Sequence, residues 1–341
     1  MHPVILLLSA LLALPPSHGQ DPFGWLYSRR SFVQDKAGGE CPPECDCPPT
    51  FSIAMYCDAR GLTLMPAIPS RMKYLYLQNN AISAISDSDL VNATNLVWLM
   101  MHNNRLTSDG ISEKAFSKLE RLERFYLNHN NLTSIPRNLP RTLRDLRINH
   151  NNIQKVTPSD LEGMDNLTIL HLHDNAITDM GASLKSLTSL TLLDVSANKL
   201  TKMPEALPEQ LHQLYLDFNA IASLPEGFLA TFTQLQYLRL AHNQLTDKDL
   251  PSNIFNVTGL VELDLSFNRL ERIPLVSTTL QHLYLQANHI KEFTLGSFCN
   301  IVDVTNFSKL QTLRLDGNEL SQEDIPSDFS LCLRLASSID V

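Results

Sequence analysis

The chain has 341 residues, a formal net charge of −9 and a pI near 5.6. Its 36 acidic residues against 27 basic ones exclude a general nucleic-acid binder, which needs a basic face. Beyond a leader, roughly 320 residues exceed what one ordinary hydrophobic core supports, so either several domains or a structure that grows by addition is required.

Residues 4–14 are almost wholly apolar but too few to span a bilayer, and Ser17-His18-Gly19 ends on a small residue. The stretch 1–19 reads as a secretory signal cut near Gly19, with only His2 and the amino terminus to charge its start. No later run is long enough to cross a membrane, so an exported product without membrane insertion is expected. Residues 20–40 lack periodicity and contain Gly38-Gly39, which predicts a flexible N-terminal arm. Then comes Cys41-x3-Cys45-x-Cys47-x9-Cys57. In an exported chain this cluster indicates local disulfides; zinc ligation is the alternative, and the spacing suits it less well. The cluster marks a cap over 41–71, built as a stapled β-hairpin.

From residue 72 onward the sequence repeats. Residues 310–320, Leu-Gln-Thr-Leu-Arg-Leu-Asp-Gly-Asn-Glu-Leu, place apolar residues first, fourth, sixth and eleventh, and asparagine ninth. The same template falls at 72–82, 96–106, 122–132, 143–153, 167–177, 190–200, 211–221, 235–245, 260–270 and 280–290, eleven copies across 72–320. This is the leucine-rich-repeat signature, one short strand and a return turn per unit. The fourth and sixth residues point to one side of the strand, and stacked units share the interior that no unit can bury alone. The ninth-place asparagine turns inward where the bending backbone lacks ladder partners; its amide supplies two donors and an acceptor. The fold class is therefore an α/β leucine-rich-repeat solenoid. Its parallel sheet is expected to be curved and concave, the convex side irregular, polyproline-like or short-helical, and both ends disulfide-capped.

Successive template asparagines lie 24, 26, 21, 24, 23, 21, 24, 25, 20 and 30 residues apart. The short steps end at Asn151, Asn219 and Asn288, and Pro136, Pro140, Pro204, Pro208 and Pro274 lie in the segments leading to them. Proline cannot continue a helix, so these returns are expected to be extended. The 30-residue step predicts a lateral excursion around Cys299–Asn306 within a C-terminal cap over 291–341. A Cys299–Cys332 bridge closing that loop stabilises by about 3–4 kcal/mol on the chain-entropy estimate.

Taken together, the cysteine cluster, the short-long-long rhythm, the elongated penultimate repeat and the closing cysteine pair resemble the small leucine-rich proteoglycans. The x3-x-x9 spacing is similar to their keratan-sulfate-bearing class. Further likeness lies in Glu44-Cys45-Asp46-Cys47-Pro48-Pro49, in Pro69 to Tyr74, in Ser297-Phe298-Cys299 and in Leu331 to Ser337. The resemblance implies the pairings Cys41–Cys47, Cys45–Cys57 and Cys299–Cys332. It implies secretion to the extracellular matrix, binding to fibrillar collagen with control of fibril assembly, and N-glycans that extend as keratan sulfate. The class is associated with an acidic, tyrosine-rich N-terminal segment; here the arm has only Tyr27, followed by Arg29 and Arg30, so no polyanionic arm is expected.

Five sequons, at Asn92, Asn131, Asn166, Asn256 and Asn306, are candidate glycan acceptors. Binding is expected on the strand face opposite the leucines, at the third, fifth and seventh template places. There, aromatics mixed with both signs of charge suit a protein partner; sideways packing along the ladder is the alternative role for them. Those eleven strands span about 48 Å at the usual spacing. The resemblance also implies a collagen-binding Glu-x-Lys step after the last repeat's Gly-Asn. Glu319 matches, Ser321 stands in place of the lysine, and Arg314 and Asp316 complete a mixed-charge candidate site.

His171 and His173 beside Asp194 have the residue types of a zinc site, but a polar partner surface is the preferred reading, and no metal or other cofactor is expected. The run Arg121, Arg124, Arg137, Arg141, Arg144 and Arg147 has acidic neighbours in Glu120, Glu123 and Asp145, so a mixed-charge surface is preferred to a glycosaminoglycan site. No catalytic constellation stands out. The second functional expectation is a soluble binding protein for a growth factor, of the transforming type, or for a cell-surface receptor.

Overall fold

The computed structural model describes residues 41–299 and 306–341. The signal segment, the arm with Tyr27 and most of the excursion between Cys299 and Asn306 lie outside the described residues.

Among the described residues, thirteen three-residue strands form one parallel sheet in chain order. They are β1 Ala54–Tyr56, β2 Tyr74–Tyr76, β3 Trp98–Met100, β4 Arg124–Tyr126, β5 Asp145–Arg147, β6 Ile169–His171 and β7 Leu192–Asp194. The series continues with β8 Gln213–Tyr215, β9 Tyr237–Arg239, β10 Glu262–Asp264, β11 His282–Tyr284, β12 Thr312–Arg314 and β13 Ser338–Asp340. Strands β2 to β12 are the template's third to fifth places; β1 and β13 add one at each end. Neighbours pair without slippage, as in Leu75↔Leu99 and Leu283↔Leu313, because a one-residue shift would turn every core leucine outward. The fourth- and sixth-place residues are buried throughout, from Leu75 and Leu77 to Leu313 and Leu315. Phe125 takes a fourth place in β4, and Phe116 fills the return beside it with ring centroids 4.9 Å apart. The returns are turns with short helical pieces, including α1 Pro158–Leu161 and α2 Phe329–Cys332.

The asparagines tie successive units together. Asn175 Nδ2 donates to Leu172 O at 2.9 Å in its own unit and to Ile148 O at 3.1 Å in the preceding one. Its Oδ1 accepts the Ile153 N–H at 3.0 Å. Asn80 makes the same contacts to Cys57 O and the Leu62 N–H, so the ladder runs into the cap. The side chain reaches inward because the eighth-place residue adopts a left-handed backbone in all eleven repeats, from Asn79 at φ 60° to Gly317 at φ 73°. Only Gly317 does this without steric penalty; the other ten include Phe218 and Phe267.

At the N-terminal end the chain forms disulfides Cys41–Cys47 and Cys45–Cys57, and at the C-terminal end Cys299–Cys332. The expected hairpin is reduced to one antiparallel bridge, Asp46 with Tyr56, while the second arm joins the main sheet as β1. Cys57 occupies the place a sixth-position leucine would fill, which is why the cap docks as a further unit.

Candidate partner-binding face

Opposite the leucines, two parallel rows of side chains run across the sheet. One passes from Tyr74 through Trp98 and Arg124 to Thr312, the other from Tyr76 through Tyr126 and Arg147 to Arg314. The rows divide into three chemically distinct stretches.

The N-terminal stretch is aromatic. Phe51 stacks on Tyr74 at 5.5 Å, Tyr56 on Tyr76 at 4.7 Å, and Trp98 meets Tyr74, Tyr76 and Tyr126 at 6.0–6.4 Å. Arg124 lies 4.9 Å over Trp98, and Arg147 lies 4.5 Å over Tyr126. Arg147 is also held by both oxygens of buried Asp145 at 3.1 Å, and the Tyr126 hydroxyl donates to Asp145 Oδ2 at 2.8 Å. Burial and the Asp145 charge push the Tyr126 phenol well above its usual range, so it stays a donor at any physiological pH. The sideways packing expected of the aromatics is present, with Tyr126 buried and Tyr74, Tyr76 and Trp98 half-buried.

The middle stretch carries histidines and carboxylates. His171 faces Asp194 across β6–β7, with Nδ1 3.7 Å from Oδ2; His173 Nε2 lies 4.0 Å from the same oxygen. Burial raises the Asp194 carboxyl, but His171, His173 and Ser196 outweigh it and hold the group below its usual range, as a carboxylate. Next to it, burial pushes Asp217 up to about 7, helped by the charges of Asp264 and Asp194 and opposed by the Ala241 N–H and Arg239.

Ion pairs dominate the C-terminal stretch. Arg239 meets Glu262 at 2.7 Å, and Arg314 binds both oxygens of Asp316 at 2.9–3.0 Å, with Asp340 3.7 Å away. Arg314 and Asp316 thus neutralise each other instead of offering two separate charges. Glu319 is exposed, with His289 3.9 Å away. Ser321 is already engaged: its N–H and hydroxyl both donate to Asp324 Oδ2 at 2.8 Å.

Asn92, Asn131, Asn166, Asn256 and Asn306 are all exposed. Asn166 occupies the place just before its repeat and donates to Arg141 O at 3.1 Å, as Asn95 does to Ser70 O at 2.9 Å. The arginine run does not converge: Arg121 bonds Asn95, Arg137 faces Glu113, and Arg124 and Arg147 sit over rings.

Sequence reasoning missed the eighth-place residues, which stack along the sheet's edge. His129 lies on His150 at 4.1 Å, and His242 is sandwiched between Phe218 and Phe267 at 4.0 Å each. The period gives them away, because they recur immediately before each template asparagine.

The leucine rich repeat family model matches residues 70–132, 141–200 and 209–270. Fibromodulin of Bos taurus is 55% identical over 302 residues, covering 89% of this chain and 80% of the relative. Lumican of Gallus gallus is 46% identical over 326 residues, covering 95% and 92%. Among solved structures, a chain of the octameric complex of Latrophilin 3, Unc5D and the leucine-rich-repeat protein FLRT2 superposes with a TM-score of 0.65 at 29% identity, covering 85% of this chain and 80% of that one.

Proposed function

Since the chain belongs to the small leucine-rich proteoglycans, the extracellular-matrix family of fibromodulin and lumican, we propose that its open face binds fibrillar collagen and limits fibril growth. The observation that carries this reading is the aromatic block around Trp98, flanked by Arg124 and Arg147. Collagen chains are polyproline-like, and surfaces lined by aromatic rings dock such chains by packing against pyrrolidine rings. The Arg124 guanidinium adds donors for backbone carbonyls that the triple helix leaves outward, whereas Arg147 is held by Asp145. Thirteen strands span about 58 Å at the usual spacing, enough to lie along a triple helix. A molecule seated there occupies surface where the next collagen molecule would add. Glu319 is a second, weaker contact at the last repeat. The exposed sequons carry N-glycans that keep the rest of the surface hydrated.

Turbidity of collagen assembling with and without the purified protein tests the reading. Slower growth and thinner fibrils are expected; unchanged kinetics and no co-sedimentation would contradict it.

The likeness to the FLRT2 complex, whose other components are Latrophilin 3 and Unc5D, favours a second reading as a soluble ligand for a growth factor or cell-surface receptor. Under it, the parent protein would change receptor signalling at concentrations that leave collagen assembly untouched.

A further inference from the structure

The middle stretch of the open face holds a group of ligating atoms that collagen binding does not use. His171 and His173 stand two residues apart, and Asp194 is the register partner of His171 on the next strand. Ligating atoms of the three side chains lie within 4.8 Å of one another, all partly sheltered from solvent. His171 Nδ1 is buried without a hydrogen-bond partner, and 3.7 Å to Asp194 Oδ2 is too long for a hydrogen bond. Behind the group, His173 Nδ1 lies 2.7 Å from Asp174 Oδ2, which in turn lies 3.3 Å from His150 Nε2. A carboxylate on Nδ1 fixes the tautomer in which Nε2 carries the free lone pair and faces Asp194.

We propose that His171 Nδ1, His173 Nε2 and Asp194 Oδ2 bind one Zn2+ ion, with Asp174 orienting His173 from behind. Nitrogen and carboxylate ligands suit zinc, and bond lengths of about 2.0–2.2 Å place tetrahedral ligands roughly 3.3 Å apart. The observed separations of 3.7 and 4.0 Å lie close to that value. A carboxylate behind a ligating histidine is the usual outer partner of zinc sites. The charge of neighbouring Arg147 is matched by Asp145, so it does not repel the cation. Three protein ligands leave the fourth position to water or to a group from a partner. The proposal departs from the preference for a plain polar surface drawn from the sequence, on the ground that ligating atoms of all three side chains lie within 4.8 Å of one another.

The test uses the purified, secreted full chain, stripped with chelator and titrated with ZnCl2 by calorimetry, with metal content read by mass spectrometry after dialysis. One zinc per chain is expected. His171→Gln, His173→Gln and Asp194→Asn each weaken binding by about tenfold or more, and Asp174→Asn weakens it by a similar or smaller factor. His150→Gln binds within about threefold of the parent. Melting curves of the metal-free variants separate lost ligation from lost folding. For any variant that does not fold, visible d–d bands of Co2+ in the parent report the tetrahedral site directly. A parent that binds no zinc and gives no such bands overturns the proposal. So do folded His171 and His173 variants that bind as the parent does, or loss of binding in His150→Gln with none in His171→Gln.

Discussion

The side-chain oxygen of Asn175 accepts the backbone N–H of Ile153, 22 residues earlier, at 3.0 Å. The same amide donates to three carbonyls, two in its own unit and one in the unit before. Asn175→Leu would leave these buried groups unpaired, at about 1–3 kcal/mol each where water cannot reach them. We expect a loss of at least about 3 kcal/mol in urea unfolding. A loss below about 1 kcal/mol would mean that the ladder is relaxed or hydrated.

Asp217 gives stability a pH dependence of unusual sign. Its carboxyl sits near 7 in the folded chain against 3.8 when unperturbed, so the folded state keeps a proton that the unfolded chain releases. Its contribution is greatest below the unfolded value and is lost as pH rises from about 4 toward 7. Asp217→Asn keeps an acceptor for the Ala241 N–H, now 2.7 Å from Asp217 Oδ1, and removes the charge. The variant should be more stable than the parent above pH 7, by on the order of 2–3 kcal/mol in denaturant unfolding, and match it near pH 4. Equal differences at both pH values would place the effect in packing.

Cys299 and Cys332 close a loop with a sequence separation of 33. Mass spectrometry of the unreduced protein should find no free thiol at any of the six cysteines. Replacing this pair with serine should lower stability by about 3–4 kcal/mol, read in denaturant. A free thiol at either position, or an unchanged midpoint, would contradict this account of the C-terminal end.

Ser321 stands where the resemblance implies a lysine, and both its N–H and hydroxyl are committed to Asp324. Hydrogen bonds from Ser321 hold the Asp324 carboxyl below its usual range. Ser321→Lys therefore exchanges a local turn contact for an exposed ammonium beside Glu319. We expect a small rise in fibril affinity, about 0–1 kcal/mol, as for one exposed charge. A gain above tenfold would mean that the last repeat is the principal contact.

The period of the template made eleven strands, the inward asparagines and the open face legible, because each depends on residue type at fixed spacing. The end strands were hidden. Met55 and Cys57 fill the fourth and sixth places of β1, but its ninth place holds Arg60 instead of asparagine; Ile339 and Val341 fill the same two places around β13. Pairing within the face was hidden too. Arg314 and Asp316 read as two available charges, and only the bidentate geometry shows them spent on each other. His173 and Asp174 are adjacent in sequence, yet only the structure shows Asp174 Oδ2 2.7 Å from His173 Nδ1.

Co-sedimentation with preformed collagen fibrils compares Trp98→Ala and Arg124→Ala with Glu319→Ala and Arg314→Ala, each verified as folded by its melting curve. A buried aromatic anchor at an interface is worth about 2 kcal/mol or more, so the Trp98 variant should bind at least about tenfold more weakly, with Arg124→Ala intermediate. Glu319→Ala and Arg314→Ala should lose no more than about threefold, because one is a single exposed charge and the other is neutralised in place. Parent-like binding by the Trp98 and Arg124 variants would contradict the assignment of collagen binding to the aromatic end of the open face.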